Sequence, residues 1–192
     1  MKTKRIAIFA SGSGSNAENI ARYFAGNSAV KVACFISNKK DAYVFERARK
    51  SGIPSYYFSA GQFKNTSDVV DFLKKENIDF IVLAGFLLKI PENILQAFPQ
   101  AIINIHPALL PEFGGKGMYG DRVHEAVLAA GRKQSGITIH YVNENYDEGE
   151  IIFQAACNIS PNDTASDVAA KVHTLEYEYF PKIIEKTLNL LF

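Results

Sequence analysis

The chain reads as an α/β protein built on a mostly parallel, doubly wound sheet. Three observations predict this. Short, wholly apolar runs alternate with amphipathic runs of about ten residues, the rhythm of strands joined by helical crossovers. The first apolar run leads into a serine- and glycine-rich loop, Ser11-Gly-Ser-Gly-Ser-Asn16. A later run, Ile102-Ile-Asn-Ile-His-Pro107, carries polar side chains to a strand end and stops at a proline, which lacks the backbone donor a central strand needs. Crossovers between parallel strands are right-handed, and ligands of such sheets bind beyond the carboxyl ends of the strands. Segments 11–16, 85–90 and 104–107 therefore gather around one crevice.

Taken in order, Arg5–Ala10 is a fully buried strand and Ala17–Ala25 a helix. Val30–Ser37 is the second strand, and Asp41–Lys50 a helix closed by Ser51-Gly52. Pro54–Phe58 is a short third strand. Ser67–Glu76 is an amphipathic helix with Val69, Val70 and Leu73 inward. Phe80–Ala84 is the fourth strand, closed by Gly85, and Pro91 starts a helix as a first-turn residue. Ala101–His106 is the fifth strand. Gly114, Gly115, Gly117 and Gly120 make the next stretch a mobile loop. Asp121–Ala130 is helical, with Gly131 as its cap. Ile137–Val142 and Ile151–Ile159 form a late antiparallel hairpin around the acidic loop Asn143–Gly149. Thr164-x-x-Asp167 resembles a capping box and opens a long C-terminal helix towards Leu190, where Pro181 is expected to kink or break it. The whole, residues 1–192, is expected to be a single domain.

Composition narrows the function. The 192 residues are 47% hydrophobic and 21% charged, with a net charge of +1. That balance argues against a nucleic-acid partner but allows a small anionic ligand. No apolar run reaches membrane-spanning length, and Ile6–Ala10 is too short for a signal peptide. Cys34 and Cys157 sit in apolar, strand-like runs and read as reduced thiols, which suggests the cytoplasm. His106, His124, His140 and His173 are too scattered to show a metal-ligand spacing, so no metal is expected.

The candidate chemistry lies at the strand ends. Asn104 and His106 are two apart and share a strand face. An amide donor beside a group that titrates near neutrality suits a reaction in which a carbonyl oxygen gains charge while a proton moves; a hydrogen-bonded loop end would use the same residues. Gly12, Ser13, Gly14, Ser15 and Asn16, between strand and helix, suit a phosphate, as they would a plain tight turn. Gly12-x-Gly14-x-x-Ala17 loosely fits a dinucleotide fingerprint, but Ile36-Ser-Asn-Lys39 offers no acid for a ribose hydroxyl. No Gly-Lys-Ser/Thr follows, so it is not a Walker loop. Asp147, at the tip of the late hairpin, is either a solvated acidic turn or a carboxylate brought to His106, whose pKa it would raise.

Together these residues form a pattern. Ser11-Gly-Ser-Gly-Ser-Asn16, Val82-Leu-Ala-Gly-Phe86, Asn104-Ile-His-Pro-Ala-Leu-Leu-Pro111, Gly136-Ile-Thr-Ile-His-Tyr-Val142, Asp147-Glu-Gly149 and Val172-His-Thr-Leu-Glu176 run almost end to end. The chain resembles the glycinamide ribonucleotide formyltransferases, folate-dependent enzymes of de novo purine (IMP) synthesis. The resemblance implies the formyltransferase fold, 10-formyltetrahydrofolate as co-substrate and glycinamide ribonucleotide as acceptor. It implies Asn104 and protonated His106 as oxyanion stabilisers, with Asp147 keeping His106 protonated and moving protons through water. It implies Ser13–Asn16 on the substrate phosphate and His173 and Glu176 at the glycinamide end, although their spacing alone fits an exposed helix face. Leu87, Leu88, Lys89 and Ile90, with Asn143, Glu144, Asn145, Tyr146 and Asp147, would line the pteridine pocket beside Asn104.

The sequence departs from the family in two places. An arginine expected near positions 62–64 is replaced by Gln62 or Lys64, and the loop Glu112–Gly120 is longer and richer in glycine. Three other readings share parts of the pattern. A methionyl-tRNA formyltransferase would need a more basic surface and a tRNA-binding extension, and a formyltetrahydrofolate deformylase usually carries an added N-terminal domain. A nucleotide-binding regulatory module would have no use for Asn104, His106 and Asp147 together. Monomer and homodimer are both compatible with the sequence.

Overall fold

The computed structural model of the chain describes residues 3–191. Seven strands form one sheet: β1 Lys4–Phe9, β2 Val30–Ser37, β3 Ser55–Tyr57, β4 Phe80–Leu83, β5 Ile102–His106, β6 Gln134–Tyr141 and β7 Ile151–Asn158. Their order is β3-β2-β1-β4-β5-β6-β7. The first five are parallel, while β6 is antiparallel to both β5 and β7. The chain winds outward in opposite directions from β1 and β4, and their carboxyl ends form the crevice at the switch in strand order.

Helices cover both faces, which is why the strands are apolar on both sides. Ile6 and Ile8 of β1 pack with α1 (Ser15–Tyr23), α2 (Val44–Ser51) and α7 (Ala165–Leu191). Ala7 and Phe9 turn the other way, onto α3 (Ala60–Asn65), α4 (Asp68–Lys75) and α5 (Glu92–Ala97). Phe9 is fully buried and meets Phe63 and Phe86 edge to face, with ring centroids 5.8 and 5.3 Å away. The remaining helix, α6 (Asp121–Ala129), ends as its sequence implies: Gly131, at φ 63°, donates to Leu128 O and Arg132 to Val127 O, the paired bonds of a Schellman cap.

The structure departs from the sequence expectations at a few points. The third strand is trimmed to three residues at the sheet edge, and β6 starts at Gln134 rather than Ile137. Pro91 is the N-cap of α5, not its first helical residue. Helix α3 was not anticipated, although its capping box is visible in the sequence: Ser59 Oγ accepts from Gln62 N and Gln62 Oε1 accepts from Ser59 N. Pro181 does not break α7, which runs through it. A proline frees the carbonyl four residues earlier. That carbonyl, of Tyr177, accepts from Asn19 Nδ2 of α1 at 2.9 Å, so α1 supplies the missing donor.

Phe9→Ala should cost about 3–5 kcal/mol of stability, the usual range for emptying a fully packed phenylalanine site. Urea unfolding of the two proteins checks it, a loss below about 1 kcal/mol arguing that the site collapses around the cavity.

Candidate active site

The loop between β1 and α1 is held open by its neighbours. Ser11 N donates to Gly85 O at 2.9 Å, and Ser11 Oγ accepts from Leu87 N at 2.9 Å, tying the loops after β1 and β4 together. Gly14 is left-handed (φ 72°), and a Cβ there would lie 2.5 Å from Val44 Cγ2, so only glycine fits. No side chain caps α1. Its first-turn N–H groups, which no helix satisfies internally, stay available at the positive end of the helix dipole. Asn16 is buried and gives its Nδ2 to Glu176 Oε2 (2.9 Å), while its Oδ1 has no hydrogen-bond partner. Glu176, also buried, accepts a second bond on Oε2 from His173 Nδ1 at 2.7 Å.

The second cluster lies at the end of β5. Antiparallel pairing sets Asn104 opposite His140 and His106 opposite Thr138. Tyr141 O, 2.8 Å from His140 Nδ1, can only accept, so that nitrogen carries a proton. In the neutral ring, Nε2 then accepts from Asn104 Nδ2 at 3.1 Å. The same reasoning protonates His106 Nε2, which lies 2.8 Å from Phe113 O. Asp147 joins the two halves. Its Oδ1 is 3.5 Å from Asn104 Nδ2 and 3.6 Å from His140 Nε2, and its Oδ2 is 3.5 Å from His106 Nδ1. Gly115 N, from the glycine-rich loop, donates to Oδ2 at 2.9 Å. That loop therefore contacts two of the three ionisable residues of the cluster, accepting from His106 and donating to Asp147.

Packing and charge compete here. Burial would raise the pKa of Asp147, but His140, His106 and the Gly115 N–H outweigh it and hold the carboxyl below its ordinary value. The outcome for His106 is the reverse of the sequence expectation. Burial pushes its pKa down, and the opposing pull of Asp147 and Phe113 O does not recover the difference, so the resting imidazole is favoured neutral. His124 is also lowered, by burial and by His173. His173 is raised, chiefly by its bond to Glu176. Cys34 is raised to about 12 by burial, which leaves it an inert thiol.

One cavity of about 620 Å³ joins the two clusters. Its wall includes every residue of the loop 12–16, along with Asn104, His106, Asp147, His173 and Glu176. Among the residues expected at the pteridine pocket, Leu87, Asn104, Tyr146 and Asp147 line it. Leu88, Lys89, Ile90, Asn143, Glu144 and Asn145 are not part of its wall. Ile90 is buried in the core beneath, Leu88 packs against that core, and Lys89 Nζ sits 5.9 Å above the Tyr146 ring. The sequence reading missed His140, His124 and the backbone groups of Phe113 and Gly115. For His140 a signal existed: Thr138 and His140 alternate on one face of a strand that pairs with 104–106. Nothing in the sequence points to two backbone groups. Among the described residues, no three His, Cys, Asp or Glu side chains cluster as metal ligands, and no helix is long and apolar enough to cross a membrane.

Comparison with known proteins gives the class. The formyl transferase family model matches residues 4–184, and the chain belongs to that family. A chloroplastic phosphoribosylglycinamide formyltransferase of Arabidopsis thaliana is 43% identical over 189 residues, covering 95% of this chain but only 65% of that protein. The phosphoribosylglycinamide formyltransferase of Bacillus subtilis is 38% identical over 97% of this chain and 96% of its own. The crystal structure of phosphoribosylglycinamide formyltransferase from Bacillus halodurans superposes with a TM-score of 0.86 at 38% identity, covering 96% of this chain and 95% of the other.

The histidine shifts set the pH dependence of stability. His106 and His124 fall below the ordinary 6.5 on folding, so below that value the unfolded chain binds more protons and stability drops on acidification. The raised His173 does the opposite: its pair with Glu176 stabilises fully below 6.5 and fades as pH rises through its folded pKa. Thermal melts from about pH 7 to about pH 5 should show a steeper loss for His173→Gln than for the wild type. Parallel profiles would mean that the His173–Glu176 pair adds no pH-dependent stability.

Proposed function

We propose that the protein transfers the formyl group of 10-formyltetrahydrofolate to the amine of glycinamide ribonucleotide. The products are formylglycinamide ribonucleotide and tetrahydrofolate, in the purine branch leading to IMP. The observation that carries this reading is one cavity with the serine- and glycine-rich loop 12–16, at the N-terminus of α1, at one end and Asn104, His106 and Asp147 at the other. On this reading the phosphate sits on Gly12–Asn16, and the glycinamide end lies by Glu176 and His173. The formyl folate enters along Leu87 and Tyr146, which leave large apolar surface exposed, as ligand walls do. We further propose that the chain acts as one domain in the cytoplasm, where its two free cysteines stay reduced.

The chemistry follows from the donors. The amine lone pair attacks the formyl carbon, and the carbonyl π electrons move to oxygen. Asn104 Nδ2–H and His106 Nε2–H donate to that oxyanion, with Nε2 exchanging Phe113 O for the stronger, charged acceptor. The charge on oxygen, together with Asp147 beside Nδ1, favours the imidazolium that burial disfavours in the resting protein. The proton shed by the amine can therefore travel through water and Asp147 to His106 Nδ1. Collapse re-forms the carbonyl, breaks the bond to N10 and returns a proton to that nitrogen. The reaction needs no covalent enzyme intermediate.

A spectrophotometric assay with a 10-formyl folate, run with and without glycinamide ribonucleotide, tests the reading. Turnover should require the acceptor; folate release without it would favour a deformylase. Asn104→Ala and His106→Ala should each lower kcat by about 10²–10³ while the protein stays folded, as losing an oxyanion donor does. Near-wild-type turnover in either would remove that residue from the mechanism. Asp147→Asn should lower kcat and displace the acid limb of the pH–rate profile, and an unmoved profile would rule out a proton-transfer role.

A further inference from the structure

One cation outside the cavity wall grips the anion loop. Arg47, on α2, donates from Nε to the Ser13 carbonyl oxygen at 2.8 Å. Its Nη1 pairs with Glu18 in the first turn of α1, and both side chains are about three-quarters buried, at 25% and 24% exposed. The Tyr43 ring stacks 5.3 Å from the guanidinium. Beside it, Val44 N donates to Gly12 O at 3.2 Å, and the Val44 side chain fills the space a Gly14 Cβ would need. The first turn of α2 thus holds three successive loop residues, 12 to 14.

Two consequences bear on an anion. In a trans peptide the C=O and the next N–H point in opposite directions. Drawing Ser13 O towards Arg47 therefore turns an electron-rich acceptor away from the cavity and Gly14 N–H back towards it. Glu18, meanwhile, favours the α1 N-terminus but sets a negative charge beside the place an anion would occupy. Arg47 neutralises that charge from within the fold; the other cation near it, Arg22, is 3.8 Å away and largely exposed.

We propose that Arg47 is a positioning residue for the phosphate end of the acceptor, orienting the Ser13–Gly14 peptide and cancelling Glu18. The proposal rests on the reading of the loop as the phosphate site. The test titrates ribose 5-phosphate into the wild type, Arg47→Ala, Arg47→Lys and the Arg47→Ala/Glu18→Gln double variant by calorimetry, and compares their kinetics. Arg47→Ala should weaken ribose 5-phosphate about tenfold, at the low end for a lost charged hydrogen bond because the effect is indirect. The KM for glycinamide ribonucleotide should rise by a similar factor, with kcat and the KM for the formyl folate within about twofold of wild type. Arg47→Lys keeps the charge but loses the planar fork, so it should fall between; it carries the test alone if Arg47→Ala fails to fold. The double variant should recover only the share due to Glu18. Unchanged ribose 5-phosphate affinity in Arg47→Ala, or a kcat loss with constant KM, overturns the proposal. No binding to the wild type would overturn the phosphate reading itself, and the proposal with it.

Discussion

The antiparallel register between β5 and β6 is the constraint on which the site depends. Asn104 faces His140, and His106 faces Thr138, only in that pairing. A slip of one residue would turn every side chain of the strand to the other face. Several contacts fix the register. Thr138 Oγ1 donates to Ala108 O and accepts from Leu110 N, which binds the segment after His106 to β6. Gln154 of β7 adds bonds to Leu110 O and Thr138 Oγ1. Gly136 and Gly149 allow close approach: a Cβ at either would overlap a backbone carbonyl oxygen, of Ala155 and Tyr141 respectively. Gly149 immediately follows the turn that carries Asp147, so the hairpin closes tightly enough to bring that carboxylate back over β5.

The electrostatics depend on that placement. An Asp147–His106 pair in water would be worth little, since exposed ion pairs contribute about 0–1 kcal/mol. Here both groups are mostly buried, and burial disfavours both charges, pushing the pKa of the acid up and that of the base down. Burial opposes the Asp147 charge, yet its pKa is held below the ordinary carboxyl value, and the Gly115 N–H is the donor that persists when the imidazoles are neutral. The imidazole has Asp147 only at 3.5 Å and a carbonyl on its other side, too little to offset desolvation. The result is a charged acid beside a neutral base. Phe113 and Asp147 both hold positive φ, at 57° and 55°, a conformation that disfavours most side chains by about 1–2 kcal/mol. In each case the strained residue is one that touches the cluster.

Much of the fold was legible because it depends on local signals. The strands that are buried on both faces announce themselves as uninterrupted apolar runs. The caps at Gly52, Gly131 and Thr164–Asp167 rest on short-range backbone chemistry. The expectation at Pro181 failed on a partner distant in sequence. Pro181 looked like a helix breaker because the donor that replaces its missing bond, Asn19, is more than 150 residues away in sequence. Along residues 87–90 a loop sends successive side chains in different directions: Leu87 lines the cavity and Ile90 enters the core.

Residue types and local order therefore determined by themselves the α/β class, the crevice at the strand ends and the presence there of Asn104, His106 and the serine- and glycine-rich loop. These follow from periodicity, turn chemistry and the switch in winding direction, all written along the chain. Only the tertiary structure decided that Asp147 reaches His106, that His140 braces Asn104, that Phe113 O and Gly115 N seat a loop on both, and that His106 rests neutral. Protonation state depends on how completely neighbours exclude water, and hydrogen-bond pairing on which distant backbone groups arrive within 3 Å or so. Neither quantity exists until the chain is packed.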